Sequence, residues 1–402
     1  MTFLHRLFHM YQRIALAGAL GVCVAVAHAA PFLPSSDATV LERLPFRAGD
    51  TTARELAALR RANLQTPQDA ALATRLANRY FELAMERGDP RYVGYADAVL
   101  QQLSAPLPAQ ALLVRAKLRQ YRHGFSEGLD DFAAALALDP DLAEAHSWRG
   151  AILMVQARYA QAGDECQALE RLGRTTLALG CSGLLAAYTG DLAGADARLQ
   201  RALAATTDPG NRQWLLTRMA EVATWAAQLD AAERHFQSAL ALGRNDTYLL
   251  AARADFLLDA ARWRDVVTLL APWEQVDTLL LRLALAEQQL GLPQALAHGQ
   301  TLGKRFDAAR QRGDTTHQTE EARYFLLVQK DTTTALRLAL ANFEVQREPR
   351  DARIVLEASL AARKPQAAEP VLAWLAANGF RGAPLRSLAD QVTALGRARA
   401  AP

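Results

Sequence analysis

A helical stretch that matches itself at a fixed spacing constrains this chain more than any other feature. Residues Gln110–Leu172 divide into two halves, each an amphipathic helix, a short polar turn and a second amphipathic helix. Ala116 aligns with Gly150, Phe125 with Tyr159, Gly128 with Ala162 and Phe132 with Cys166, every pair 34 residues apart. A single hairpin of this size cannot bury its apolar face alone, so the repeat implies hairpins stacked against one another. Small residues let the paired helices approach, and bulky ones fill the space between successive hairpins. No period-two alternation marks a strand, and the expected class is all-α.

The pattern resembles the tetratricopeptide repeat: a small residue in the first helix, an aromatic at the turn, then a small residue and an aromatic in the second helix. Carried C-terminally, the first-helix small position falls on Gly183, Ala220 and Ala254, and the turn position on Leu192, Leu229 and Trp263. The second-helix pair falls on Ala195/Leu199, Ala232/Phe236 and Val266/Leu270. The family's first-helix Trp and Leu are missing from most copies, with His146 and Arg149 standing there in the best repeat. The resemblance implies a right-handed superhelical solenoid of antiparallel helix pairs over about Thr66–Asn378. It says little about function, since this repeat serves many unrelated partners.

In chain order, Met1–Ala29 reads as a secretory signal: Arg6 and Arg13, an apolar run over Ile14–Ala27, and Ala27-His28-Ala29 as the cleavage site. An uncleaved membrane anchor is the alternative. Ala30–Asp50 is an extended lead segment. Hairpins follow over 51–275, best defined over 107–275, and divergent ones over 276–402. Thr52 and Thr66 are read as N-caps, and the last helix, Pro384–Leu395, as a cap on the open end of the stack.

Signal removal takes away two arginines and lowers the formal charge from +3 to about +1. With arginines alternating with acids along most helices, no clustered cationic face points to nucleic acid. Beyond the leader, charged residues interrupt every apolar run, so no stable membrane insertion is expected. Cys166 and Cys181 fall on helices that should touch. Export would favour a disulfide between them, two buried free thiols being the alternative.

No catalytic constellation is visible. The histidines are dispersed, no HExxH, phosphate-binding glycine loop or GxSxG occurs, and no metal or cofactor is implied. Asp130-Asp131 and Glu320-Glu321 are adjacent, which on a helix sets the side chains about 100° apart and away from a common substrate. The resemblance instead implies a concave face lined by first helices. Its family positions fall on Trp214, Glu221, Thr224 and Trp225, then Tyr248, Asp255 and Asp259, then Asp277 and Glu287. The N-terminal counterparts are Lys117 and Tyr121, with Asn78 and Phe81 beyond them. Exposed aromatics beside a row of carboxylates suggest a negatively charged groove for a protein or peptide segment. The competing readings are a glycan or small-molecule module using the aromatics, an accessory subunit of an envelope or secretion complex, or an enzyme built in the divergent half.

Overall fold

The computed structural model describes residues 49–400, apart from 245, 315 and 317, together with Ser36. The proposed signal lies outside the described residues, as does nearly all of the lead segment. The chain divides into two compact units, Met1–Glu55 and Leu56–Pro402. In the first, the Asp50 carboxylate accepts from the Ala53 N–H at 2.8 Å and opens α1 (Thr51–Gln65), taking the capping role expected of Thr52.

Among the described residues there are twenty α-helices and no strand. In the second unit they pair antiparallel in chain order. The pairs are α2 (Ala70–Arg87) with α3 (Arg91–Leu100), α4 (Ala109–Tyr121) with α5 (Phe125–Leu138), and α6 (Ala143–Val155) with α7 (Tyr159–Arg171). Next come α8 (Thr175–Tyr188) with α9 (Leu192–Ala204), α10 (Pro209–Trp225) with α11 (Leu229–Leu240), and α12 (Thr247–Asp259) with α13 (Trp263–Leu270). The pair α14 (Asp277–Leu290) and α15 (Gln294–Gln311) is followed by α16 (Gln318–Tyr324), a π-helical turn over Phe325–Gln329, and α17 (Thr332–Val345). Last are α18 (Pro349–Ala361), a 3-10 turn over Pro365–Ala368, α19 (Glu369–Asn378) and α20 (Ala383–Ala400).

Helix starts are set by short carboxylates. Asp69, rather than Thr66, caps α2 by accepting from the Leu72 N–H at 3.0 Å, and Asp191, Asp208, Asp246 and Asp331 do the same for later helices. The repeat shows in the packing. Ala116, Ala220 and Ala254 are fully buried on first helices, facing second helices whose Phe132, Phe236 and Leu270 are equally buried. Where the small residue is Gly183, an added Cβ would stand 3.0 Å from Leu199, so nothing larger fits without a shift.

The C-terminal helices do not simply extend the stack. Leu336, Phe343, Ile354, Trp374, Phe380, Leu385 and Val392 share one core with Leu153, Tyr159, Leu184 and Tyr188 of the middle hairpins. Polar contacts follow the same seam: the Arg347 N–H donates to the Val155 carbonyl at 2.8 Å, and Tyr188 donates to Glu348 at 3.2 Å. These contacts fall at the C-terminal ends of α6 and α8, where the chain's own helices cover the inner face. Helix α20, expected to cap the open end, packs Leu385, Ala389 and Val392 into this seam.

Candidate functional site: a cleft under the C-terminal helices

Where α10 and α12 face α16, α18 and α20, the covering is incomplete and leaves a cavity of about 170 Å³. From the repeats it is lined by Glu221, Thr224 and Trp225 of α10 and by Tyr248, Asp255 and Asp259 of α12. Glu221 and Trp225 lie four residues apart, as do Asp255 and Asp259, so each pair shares a helix face. The opposite wall carries Arg323, Glu348, Arg350, Arg353, Phe380 and Leu385.

The expected negative field is absent, because each carboxylate here meets a guanidinium. Asp255 receives Arg282 through Nε at 3.0 Å and Nη2 at 2.7 Å, and Arg323 through Nη1 at 2.5 Å. Burial alone would push the Asp255 carboxyl up; the two arginines outweigh it and hold it below the usual carboxylate range. Arg353 grips Asp259 with both Nη atoms, at 2.6 and 2.7 Å, and gives Nε to Glu357 at 2.6 Å. Glu221 accepts from Arg218 at 2.8 Å and from the Tyr248 hydroxyl at 2.6 Å.

At the start of α18, Glu348 and Asp351 form a reciprocal cap: the Glu348 N–H donates to Asp351 at 3.1 Å. Asp351 is fully buried, accepting also from Thr319 at 2.8 Å and Asn342 at 3.0 Å. Burial, helped by the neighbouring Glu348 charge, pushes its carboxyl up to about 7 against the pull of Arg350. Glu348 is shifted the other way, since Arg350 and Arg218 overcome its burial. The Tyr248 hydroxyl is pushed far up by burial, the Glu221 charge adding to the effect while Arg218 opposes it, and so stays a hydrogen-bond donor.

The aromatics are packed rather than free. Trp225 lies with its ring centroid 5.8 Å from Tyr188 and 5.5 Å from Phe380. Of the sequence-nominated residues, Glu221, Thr224, Trp225, Tyr248, Asp255 and Asp259 are brought together. The others are not. Trp214 fills the space that a side chain at Gly180 would need. Asp277 pairs with Arg305 at 2.7 Å, and Glu287 is buried against His298 at 2.7 Å. Lys117 is buried between Asn78 at 2.7 Å and Glu144 at 2.8 Å, over the Phe81 ring. Tyr121 is half-buried, its hydroxyl pushed up to about 12 by burial. Cys166 and Cys181 are joined in a disulfide, with Cα atoms 5.4 Å apart.

Sequence reading missed the facing wall: Arg323, Glu348, Arg350, Arg353 and Phe380. The signal that could have pointed to it is the set of three arginines, Arg323 on α16 and Arg350 and Arg353 on α18, opposite in charge to Asp255 and Asp259 of α12. Among the described residues, no group of three His, Cys, Asp or Glu converges as a metal site. Nor is any helix long and apolar enough to cross a membrane.

One turn geometry recurs through the hairpins. His123, Ala157, Gly190, Ala227 and Ala261 all adopt left-handed backbone, each two residues before the turn position of the repeat. The next N–H in each case closes on a carbonyl five residues back, at 2.8–2.9 Å, as in Arg158 to Leu153 and Gln228 to Ala223. The chain is built of tetratricopeptide-type hairpins. No family model and no curated protein matches it. Solved structures similar to it include a chain of the APC/C hetero-tetramer Cut9–Hcn1, at 14% identity and a TM-score of 0.40, over 85% of this chain and 52% of that one. Yeast Tom70 matches at 15% identity and a TM-score of 0.37, over 85% and 62%. The C-terminal part of a TPR repeat-containing protein from Cytophaga hutchinsonii matches at 13% and 0.31, over 61% and 94%. The chain thus spans about half of the first of these and under two-thirds of the second.

Proposed function

We propose that this protein is an exported, non-catalytic interaction scaffold of a bacterial periplasm, receiving a short segment of a partner protein in the cleft between α10, α12 and the C-terminal helices. The observation that carries this reading is the convergence of Trp225, Tyr248 and Asp259 on one open cavity, facing Arg350 and Phe380. Half-buried aromatics beside fixed ion pairs are the composition of a recognition pocket, where an inserted side chain meets rigid apolar walls and orienting polar groups. The leader-like Met1–Ala29 supports export, as does the Cys166–Cys181 disulfide, a bond that persists in oxidising compartments.

The test is capture from the native host with tagged full chain, comparing the native protein with Trp225→Leu. A partner held by the first and lost by the second, with unchanged circular dichroism, supports the reading. Equal capture by both contradicts it. Recovery of the chain from the cytoplasmic fraction would contradict the export.

A small-molecule binding module is the second reading. It is favoured by one observation: the chain's own helices wall the cavity on the side where a long segment would need to pass.

A further inference from the structure

Arg350 differs from the other arginines of the cleft. Arg282 and Arg353 each bind their carboxylate through two nitrogens, and Arg323 closes a third bond on the same Asp255. Arg350 gives one Nη to Glu348 at 2.7 Å, and 47% of its side chain stays accessible where it lines the cavity. Its guanidinium stands 5.5 Å from the centre of the Tyr248 ring, which fixes its plane on one side. Arg218 takes the other contact with that ring, at 4.3 Å.

The local charge is balanced, Arg218 and Arg350 against Glu221 and Glu348, but the hydrogen bonding is not. Glu221 already takes the Tyr248 hydroxyl and Glu348 the Tyr188 hydroxyl. Two carboxylates are thereby served by tyrosines as well as arginines. Among the described residues, Nε and the second Nη of Arg350 have no protein acceptor. A guanidinium carries five N–H donors in a planar fork that matches a carboxylate. The walls beyond it are apolar: Trp225, Phe380, Pro349 and Leu385.

We infer that the cleft binds a small organic acid, its carboxylate on the free edge of Arg350 and its apolar body against Trp225 and Phe380. This rests on the second reading above, in which the cleft takes a small molecule, and it names the chemistry of what enters. The balanced charge means recognition comes from short-range hydrogen bonds and packing rather than long-range attraction.

The experiment is calorimetric titration of the full chain with 3-phenylpropionate and with its neutral amide, 3-phenylpropionamide. The acid is expected to bind at least about tenfold tighter, the scale set by a charge-assisted hydrogen bond. Arg350→Gln is expected to erase that preference. Because it also leaves the buried Glu348 carboxylate without this guanidinium, its fold is verified by circular dichroism at the titration temperature. Arg350→Lys, which keeps the charge but not the planar fork, is expected to weaken the preference. Equal binding of acid and amide to the native chain overturns the inference, as does an Arg350→Gln variant that keeps the preference, or no binding of either. A third arm, acetyl-Gly-Gly-Phe with a free C-terminus, separates the source of the carboxylate. Tighter binding of that peptide than of phenylpropionate assigns the site to a chain end and overturns the small acid. Failure here, with partner capture still sensitive to Trp225→Leu, leaves the scaffold reading in place.

Discussion

Phe380 sets its ring edge-on to Trp225, centroids 5.5 Å apart at an interplanar angle of 73°, and so joins the C-terminal helices to the inner face of the repeats. Trp374 extends the contact, 5.6 Å from Phe380, and Tyr188 completes it, 5.8 Å from Trp225. An inner surface that the repeat alone would leave open is therefore part of a shared core, and what remains for a ligand is a cleft.

The ion pairs across that seam give the first prediction. Asp255→Ala removes the carboxylate that Arg282 and Arg323 share, leaving Arg282, with only 5% of its side chain exposed, a longer contact to Glu320 at 3.8 Å. Removing one partner of such a cluster strands buried charge, and the loss is expected at about 2–3 kcal/mol, below the fully buried case because Asp255 is partly accessible. Urea unfolding of the full chain measures it; a loss near zero would mean the three groups are not in contact.

A second prediction concerns pH. The folded-state pKa of Asp351 is raised to about 7, whereas an unfolded aspartate titrates near 3.9, so the fold favours the protonated form. The stabilising effect of that proton is fully present below about pH 4 and is lost as pH rises through about 7. Asp255 is held low, so its contribution is present above about pH 4 and is lost on further acidification. Thermal midpoints between about pH 5 and 8 should fall with rising pH, and the slope should flatten in Asp351→Asn. An unchanged slope in the variant would assign the titration elsewhere.

The disulfide yields a third. It closes a loop of 15 residues between α7 and α8, both of which face the C-terminal helices. Cys166→Ala with Cys181→Ala is expected to lower stability by about 3 kcal/mol, read as a shift in the urea midpoint. Equal stability of the reduced and oxidised native protein would contradict this.

Backbone geometry at the turns gives the fourth. Ala227 sits at φ 58°, a left-handed conformation in which an L side chain crowds its own carbonyl. Ala227→Gly should raise stability by about 0.5–1 kcal/mol, the relief exceeding glycine's added freedom in the unfolded chain. The same change at fully buried Ala220, on the helix, should lower it.

The parts legible in the sequence are those written in local spacing. Ala116, Phe125 and Phe132 have counterparts in Gly150, Tyr159 and Cys166, 34 residues later, because each hairpin repeats the same packing problem, and the periodicity carries that directly. The tetratricopeptide resemblance implies inner-face positions for Glu221, Asp255 and Asp259, and they line the cleft. The partners of Asp255 and Asp259 are not legible this way. Arg353 meets Asp259 across 94 residues, and no local pattern records which distant helix returns to face a given turn. The negative groove fails to form mainly for that reason: Glu221 has its arginine, Arg218, on the same helix, but the arginines that pair with Asp255 and Asp259 lie far along the chain on α14, α16 and α18. Trp214 shows a different limit, since one helical step rotates a side chain by about 100° and turns a groove residue into one packed on Gly180.

The claim beneath the whole account is that the C-terminal helices close over the inner face at Trp225 and Phe380. A double-mutant cycle tests it most directly, with Trp225→Leu, Phe380→Leu and the double variant compared by urea unfolding. Contact predicts a coupling of about 0.5–1.5 kcal/mol between the two sites, the range for an edge-to-face aromatic pair. Strictly additive losses would place the two rings out of contact and contradict it.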